Sequence, residues 1–144
     1  VLTEKKLRTL KLSNGICMCC DGNTIEDIFH LFVECSLYTP VWQYVKRLIF
    51  KFTKNSNDIT EFHQILGIQN YTAEYLLVNM ILGVTRWIIW KSRCRIKYNK
   101  DSIVSADITR DLKRSLRIHV DTLRNGRVNF TLKPLLCTLN NCLE

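Results

Sequence analysis

Four side chains with the chemistry of metal ligands lie within nineteen residues near the start of the chain: Cys17, Cys20, His30 and Cys35. Two cysteines separated by two residues can direct both thiolates at one ion, because the intervening turn fits a zinc–sulfur distance of about 2.3 Å. Four ligands close a tetrahedron and leave no position for water or substrate. The C-x2-C-x9-H-x4-C pattern therefore predicts one structural Zn²⁺. The alternative, ordinary buried thiols and a surface histidine, is less favoured because so irregular a segment needs a crosslink to hold it.

The ligand spacing sets a condition on the local backbone. In a continuous α-helix, Cys35 would face about 140° away from His30. The helix that carries His30 should therefore end before Cys35 and let the chain fold back. Cys19 leaves a second possibility, because it could replace Cys20 in a Cys17-x-Cys19 pair, although a one-residue spacing suits a zinc turn less well.

Most of the remaining chain has helical patterning. Capping signals, apolar spacing and glycine or asparagine stops predict helices over residues 3–10, 24–33, 39–52, 59–66, 72–98 and 105–124. Residues 129–132 are a candidate strand, and the last ten residues support no prediction. The predicted fold is mainly α: a small CCHC zinc knuckle, then a helical bundle with two long basic amphipathic helices. We expect a zinc-knuckle region over 1–52, a helical region packed on it over 53–128 and a tail over 129–144, forming one compact unit.

The positive charge of the chain is concentrated in one segment. The net charge is +8, and residues 86–127 hold twelve Lys or Arg against four Asp, which accounts for all of it. Such a concentration is typical of a surface that meets a polyanion, although many charge runs are simply solvated faces. The predicted nucleic-acid-binding residues are Arg93, Arg95, Lys97, Tyr98, Arg110, Lys113, Arg114, Arg117 and Arg124.

Aromatic residues are interleaved with these cations. Trp87, Trp90 and Tyr98 could stack on unpaired bases. Aromatic residues at helical spacing are more often core, so we expect Trp87 and Trp90 to be buried and Tyr98 to be exposed.

The sequence offers no catalytic constellation and no clear membrane span. Asp107 and Asp111 lie one turn apart among arginines, which favours helix ion pairs over a two-metal site. We therefore expect this chain not to be an enzyme. The apolar stretch 76–90 is shorter than the roughly 20 residues of a span, so no membrane partner is expected. Seven cysteines, clustered and odd in number, favour a reducing intracellular compartment, nuclear and cytoplasmic.

Several motifs together resemble a known family. The chain has Thr3 four residues before Leu7, the Cys17–Cys20 pair followed by Gly22, a glutamate before His30-Leu31-Phe32 and Cys35, and a tryptophan seven residues later. This order resembles the zinc-binding domain downstream of the reverse transcriptase in non-LTR (LINE-type) retrotransposon polyproteins, over residues 2–50. The segment Ile89-Trp90-Lys91-Ser92-Arg93 is similar to an I-W-K-x-R segment that follows the knuckle in many members.

The resemblance implies a function for the parent protein. Such a polyprotein copies RNA into DNA at a nicked chromosomal target, and this domain would position RNA template or target DNA during target-primed reverse transcription. Its partners would be RNA or DNA and the polymerase and endonuclease domains of the same polyprotein. Two alternatives remain: a protein-interaction module that docks on the polymerase or another subunit, and a host protein derived from such an element.

Overall fold

A computed structural model describes residues 1–53, 59–70, 72–126 and 132–143 of the chain. Its helices are α1 Glu4–Thr9, α2 Thr39–Thr53, α3 Glu61–Leu66, α4 Ala73–Cys94, α5 Ser105–Asn125 and α6 Leu132–Leu143. Two π-helical turns, His30–Glu34 and Arg95–Asn99, lie before α2 and directly after α4. The described residues form no strand, only one isolated antiparallel bridge. The prediction of a mainly helical chain is confirmed.

One hydrophobic core holds α2, α4, α5 and α6 together. Each helix contributes a row of apolar side chains at spacings of three and four, which places the row on one face. On α5 this row is completely covered by its neighbours, and its residues are Ile108, Leu112, Leu116 and Val120. α4 is apolar on several faces and buries side chains along nearly its whole length. α2 lies within the predicted knuckle region, yet it packs with the later helices, so the bundle and the knuckle share one core.

The boundaries of α3 and α4 follow from local hydrogen bonds. The Thr60 hydroxyl accepts the His63 N–H, and the His63 ring accepts the Thr60 N–H, which together form a capping box at the start of α3. α3 ends at Gly67, whose φ of 82° suits a residue without a side chain. The Thr72 hydroxyl accepts the Tyr75 N–H and so caps α4. These positions agree with the predicted helix ends to within about two residues.

One local prediction is wrong. The capping box expected at Thr24 does not form; Ile25 pairs with Ile16, and Asp27 instead accepts the His30 N–H at 2.9 Å. Asp27, the expected partner in that box, caps the turn at His30 instead, and Glu26 beside it is buried and paired with Arg93. The tail, for whose last ten residues the sequence supports no prediction, is helical over its described residues. Its residues 132–143 form α6, which buries Leu136, Leu139 and Leu143 against α2 and α5.

The predicted strand mostly falls beyond the described part of the chain. Residues 129–131 lie outside it, and Leu132 is the first residue of α6. Among the described helices, none has both the length and the apolar character that crossing a bilayer requires.

Candidate metal centre and cationic surface

A tight reversal of the chain positions the first two candidate ligands. The bridge between Ile16 and Ile25 is flanked by hydrogen bonds from the Cys17 N–H to the Thr24 carbonyl at 2.8 Å and from the Glu26 N–H to the Gly15 carbonyl at 2.9 Å. Cys17 therefore lies at the end of a short ladder, and Cys20 lies in the turn beyond it. The Cys19 N–H points at the Cys17 sulfur, 3.4 Å away, an arrangement that stabilises a thiolate.

A π-helical turn positions the other two ligands. The Cys35 N–H donates to the His30 carbonyl at 2.8 Å, five residues back, so His30–Glu34 makes one wide turn. Five residues then return the chain to the same face, where an α-helix would have turned Cys35 away. Cys35 itself has extended dihedral angles and ends the helix. The expectation that the helix ends between the two ligands is met by this wider turn, which the residue spacing alone does not reveal.

The four candidate ligand atoms come together. The sulfurs of Cys17, Cys20 and Cys35 and a ring nitrogen of His30 all lie within 4.8 Å of one another. The Cys20 Sγ is 3.5 Å from the His30 Nε2. A tetrahedral ion bonded at about 2.3 Å to sulfur and about 2.0 Å to nitrogen separates two such ligands by roughly 3.5 Å. The group therefore fits one tetrahedral metal ion.

The surroundings of the cluster suit a buried ion. Cys17, His30 and Cys35 are buried, with Cys20 at the margin. With Nε2 directed at the cluster, the other His30 nitrogen, Nδ1, lies 3.8 Å from the Glu34 carboxylate. A carboxylate beside the outer nitrogen is the usual means of orienting a metal-ligating histidine.

Cys19 has a different environment. It also lies close to Cys17 and Glu26. However, its sulfur accepts a hydrogen bond from the Tyr38 hydroxyl at 3.4 Å, and the Tyr38 hydroxyl in turn accepts one from Ser92. Glu26 is occupied by an arginine, as described below, which makes this second group a weaker ligand set than the group that contains Cys20.

The thiols are close enough to share protons. Hydrogen bonds from Cys19 and Cys35 lower the pKa of Cys17. The hydrogen bond to Cys17 and burial raise the pKa of Cys35. The two pKa shifts have opposite directions because the hydrogen bond between Cys17 and Cys35 stabilises one thiolate at the expense of the other.

Arg93 belongs to the interior of the protein. Its side chain is 2% exposed, and its guanidinium donates to Glu26 at 2.9 Å and to Glu4 at 2.5 Å. The Glu4 N–H also donates to the Glu26 carboxylate. Arg93, which the sequence analysis predicts to contact nucleic acid, is instead almost fully covered and paired with two carboxylates. Its role is to join α4 to α1 and to the ligand-bearing loop.

The residues after Arg93 are divided between inner and outer contacts. Lys97 pairs with the same Glu4 and is mostly covered. Arg95 forms an ion pair with Asp101 at 2.8 Å and a longer one with Asp111 at 3.7 Å. Tyr98 is exposed, as expected, with the Lys97 ammonium 5.5 Å from its ring. Most of the charged side chains in this segment therefore form ion pairs within the protein.

The cations of α5 face outward. Arg110 and Arg124 pair with acidic residues of their own helix, as exposed i,i+3 pairs. Lys113 lies 5.0 Å from the Tyr44 ring. Arg117 donates to the Leu143 carbonyl at 3.0 Å and so helps to hold the end of α6. Arg114 is exposed and forms no ion pair with another described side chain. Of the predicted set, the α5 residues form the accessible cationic face.

The two tryptophans differ in exposure. Trp90 is partly buried against the core and lies beneath the Arg93 guanidinium. Trp87 is 61% exposed, so the expectation that it is core is wrong. Its position on α4 points away from α2 and α5, a consequence of helix packing that local spacing does not reveal.

Two residues, one in the buried ion pairs and one on the cationic face, were not predicted from the sequence. Glu4 is a buried partner of Arg93, and Arg47 on α2 joins the cationic face, as described below. Neither has a local sequence signal, because each acts on residues from distant parts of the chain. Comparison with protein-family models, with curated proteins and with solved structures found no match to this chain.

Proposed function

We propose that this chain is a zinc-stabilised nucleic-acid-binding domain of a retroelement reverse transcriptase polyprotein. In this proposal, Cys17, Cys20, His30 and Cys35 hold one structural Zn²⁺ as a CCHC knuckle. The observation that carries the proposal is the convergence of these four ligand atoms within 4.8 Å. Three sulfurs and one imidazole nitrogen, in a tetrahedral arrangement, are a donor set that suits zinc.

The cationic face supports the nucleic-acid part of the proposal. α5 presents Arg110, Lys113, Arg114 and Arg124 outside its buried row, with Arg110 and Arg114 on the side opposite to that row. Basic side chains along an exposed helix attract phosphates without selecting a sequence. The domain would then position RNA template or target DNA for a polymerase and an endonuclease elsewhere in the same polyprotein, within nucleus and cytoplasm. It would hold nucleic acid and perform no chemistry of its own.

Protein docking is the second candidate. Three large apolar side chains are exposed on the packed pair α3 and α4: Phe62 at 76%, Leu66 at 70% and Trp87 at 61%. Exposed aromatic residues are frequent anchors of protein interfaces. In that case the domain would attach to the polymerase or another subunit, or serve a host protein derived from such an element.

A salt-titrated binding assay tests the proposed function. The zinc-loaded chain is titrated against a 20-base-pair duplex, a single-stranded DNA and an RNA of matched sequence, from about 50 mM to about 500 mM salt. The log of the affinity should fall linearly with the log of the salt concentration, by about 0.9 per phosphate contact on the duplex. Arg114→Glu should weaken binding and flatten this dependence. Lys6→Glu, a reversal at an exposed residue of α1, is the matched control and should change binding little.

The outcomes separate the candidates. Absence of binding to all three nucleic acids at low salt would reject the proposal. Equal losses in Arg114→Glu and Lys6→Glu would indicate nonspecific attraction to net charge. Binding to a polymerase fragment that survives high salt and is lost in Trp87→Ala would favour docking.

A further inference from the structure

An open groove of about 570 Å³ lies between α2 and α5. Its α2 wall consists of Pro40, Tyr44 and Arg47, spaced by four and three residues, so they share one helix face. The α5 wall is formed by residues from the first two and a half turns: Ser105, Ala106, Thr109, Arg110 and Lys113. Because the two helices pack on one core, the groove has rigid walls.

The groove is cationic without an acidic lining residue. Arg47, Arg110 and Lys113 enter it from two helices, and none of its eight lining residues is Asp or Glu. Arg110 has an exposed ion pair with Asp107 at 3.0 Å, which water screens. Arg47 forms no ion pair with a described side chain. The other described cavities that contain Lys or Arg also contain an acidic residue. This groove is therefore the described cavity best suited to an anion.

The aromatic residue in the groove indicates how the anion would be held. The Tyr44 ring is half-covered, and the Lys113 ammonium lies 5.0 Å from its centre. Besides this ring, the charged groups that line the groove are Arg47, Arg110 and Lys113. The accessible donors are the guanidinium and ammonium groups, which pair with phosphate oxygens.

We propose that the α2/α5 groove is where this protein grips the phosphate backbone of a nucleic acid, with Arg47 and Lys113 on opposite walls contacting phosphates. This inference rests on the proposed nucleic-acid-binding function and adds α2 to the binding surface. Such a grip reads the backbone and not the bases, so binding there is independent of sequence.

The test compares two double variants of equal charge. Arg47→Gln with Lys113→Gln removes the cations from both walls. Lys46→Gln with Lys6→Gln removes the same charge from two exposed residues, on α2 and α1, that do not line the groove. On duplex DNA, the groove variant should flatten the log–log salt dependence by about 1.8, which corresponds to a roughly 60-fold loss of affinity near 0.1 M salt if two contacts are lost. The control pair should lose several-fold less. Thermal unfolding of both variants verifies that they remain folded.

Each outcome decides a different point. Equal losses in the two variants, with wild-type binding intact, would overturn the groove and leave the proposed function standing. Absence of wild-type binding to any nucleic acid would overturn both. As a further arm, a 20-residue polyglutamate peptide is titrated. Binding of that peptide, but not of nucleic acid, in an Arg47-dependent manner would identify an acidic protein segment as the occupant and overturn the inference.

Discussion

At the residue scale, two local backbone conformations bring the candidate metal ligands together. Cys17 and Cys20 are brought together by a turn within four residues, and His30 and Cys35 by one wide helical turn. Cys19 lies beside them, but its sulfur is hydrogen-bonded to Tyr38. The structure thus distinguishes two adjacent cysteines that the sequence leaves as alternatives.

This distinction predicts different metal contents for two serine variants. Cys35→Ser removes a buried ligand, so the chain should lose most of its zinc to a competing chelator. Cys19→Ser removes only a neighbour and should retain about one Zn²⁺ per chain, as a four-ligand structural site requires. Elemental analysis, with the visible absorption of the Co²⁺-substituted proteins as a check on tetrahedral sulfur ligation, measures both. Retention of metal by Cys35→Ser together with its loss from Cys19→Ser would reverse the ligand assignment.

The ligand set could be predicted from sequence because its geometry is local, whereas the role of Arg93 could not. The partners of Arg93 lie 67 and 89 residues away in the chain. A basic segment looks the same in sequence whether its charges meet solvent or buried carboxylates. Burying an arginine is tolerable only when carboxylates pair with it, and this pairing becomes visible only in the folded chain.

At the element scale, helices with sustained apolar periods or clear capping signals were predictable, and the π-helical turns and α6 were not. α2, α4 and α5 have sustained apolar periods, so their positions follow from the sequence. α6 is short and has a proline in its first turn, and α2 and α5 stabilise it as a helix by covering its apolar face. The wide turn at His30 has no sequence signature, since it depends on how the two ligand-bearing segments meet.

Two glycines provide an element-scale prediction with an internal control. Gly67 has a φ of 82°, and a side-chain carbon there would lie 2.8 Å from the Asn79 amide oxygen. That amide accepts the Ile68 N–H and donates to the Ile68 carbonyl, each at 2.7 Å, and so joins the end of α3 to α4. Gly67→Ala should lower the free energy of unfolding by about 1–3 kcal/mol, because it introduces backbone strain and displaces Asn79.

Gly83 is the matched control, because it lies inside α4 with only the Arg86 side chain near the added carbon, at 3.8 Å. Gly83→Ala should raise the free energy of unfolding by about 0.5–1 kcal/mol, from the higher helix propensity of alanine. Urea unfolding followed by circular dichroism compares the two variants. A stable Gly67→Ala protein would mean that the backbone at the end of α3 does not have the positive φ that disfavours alanine.

At the scale of the whole molecule, two kinds of interaction join the knuckle to the bundle. One apolar core spans the bundle helices and includes the buried apolar residues of the ligand-bearing segment. The segment 15–35 contacts it through the buried ion pairs of Glu26 with Arg93 and through apolar residues such as Leu31 and Phe32. A bound ion would crosslink the two ligand-bearing turns within that segment, where regular backbone hydrogen bonds are few.

Removal of the metal should therefore destabilise the ligand-bearing segment more than the helical bundle. After chelation of the zinc-loaded chain, backbone amides in residues 15–35 should exchange with solvent faster, by at least about tenfold, because the ion no longer closes the turn and the wide helix. Amides in the middle of α4 and α5 should remain protected, since their apolar rows pack against each other and against α2. Hydrogen exchange measured by mass spectrometry resolves the two regions, and Cys35→Ser treated with the same chelator is the control that should show no further change.

Uniform loss of protection along the chain would mean that the ion organises the bundle as well, while no change in residues 15–35 would mean that packing alone holds the knuckle. The predicted pattern makes the cationic groove between α2 and α5 a property of the bundle, so nucleic-acid binding there should weaken only modestly when the metal is removed.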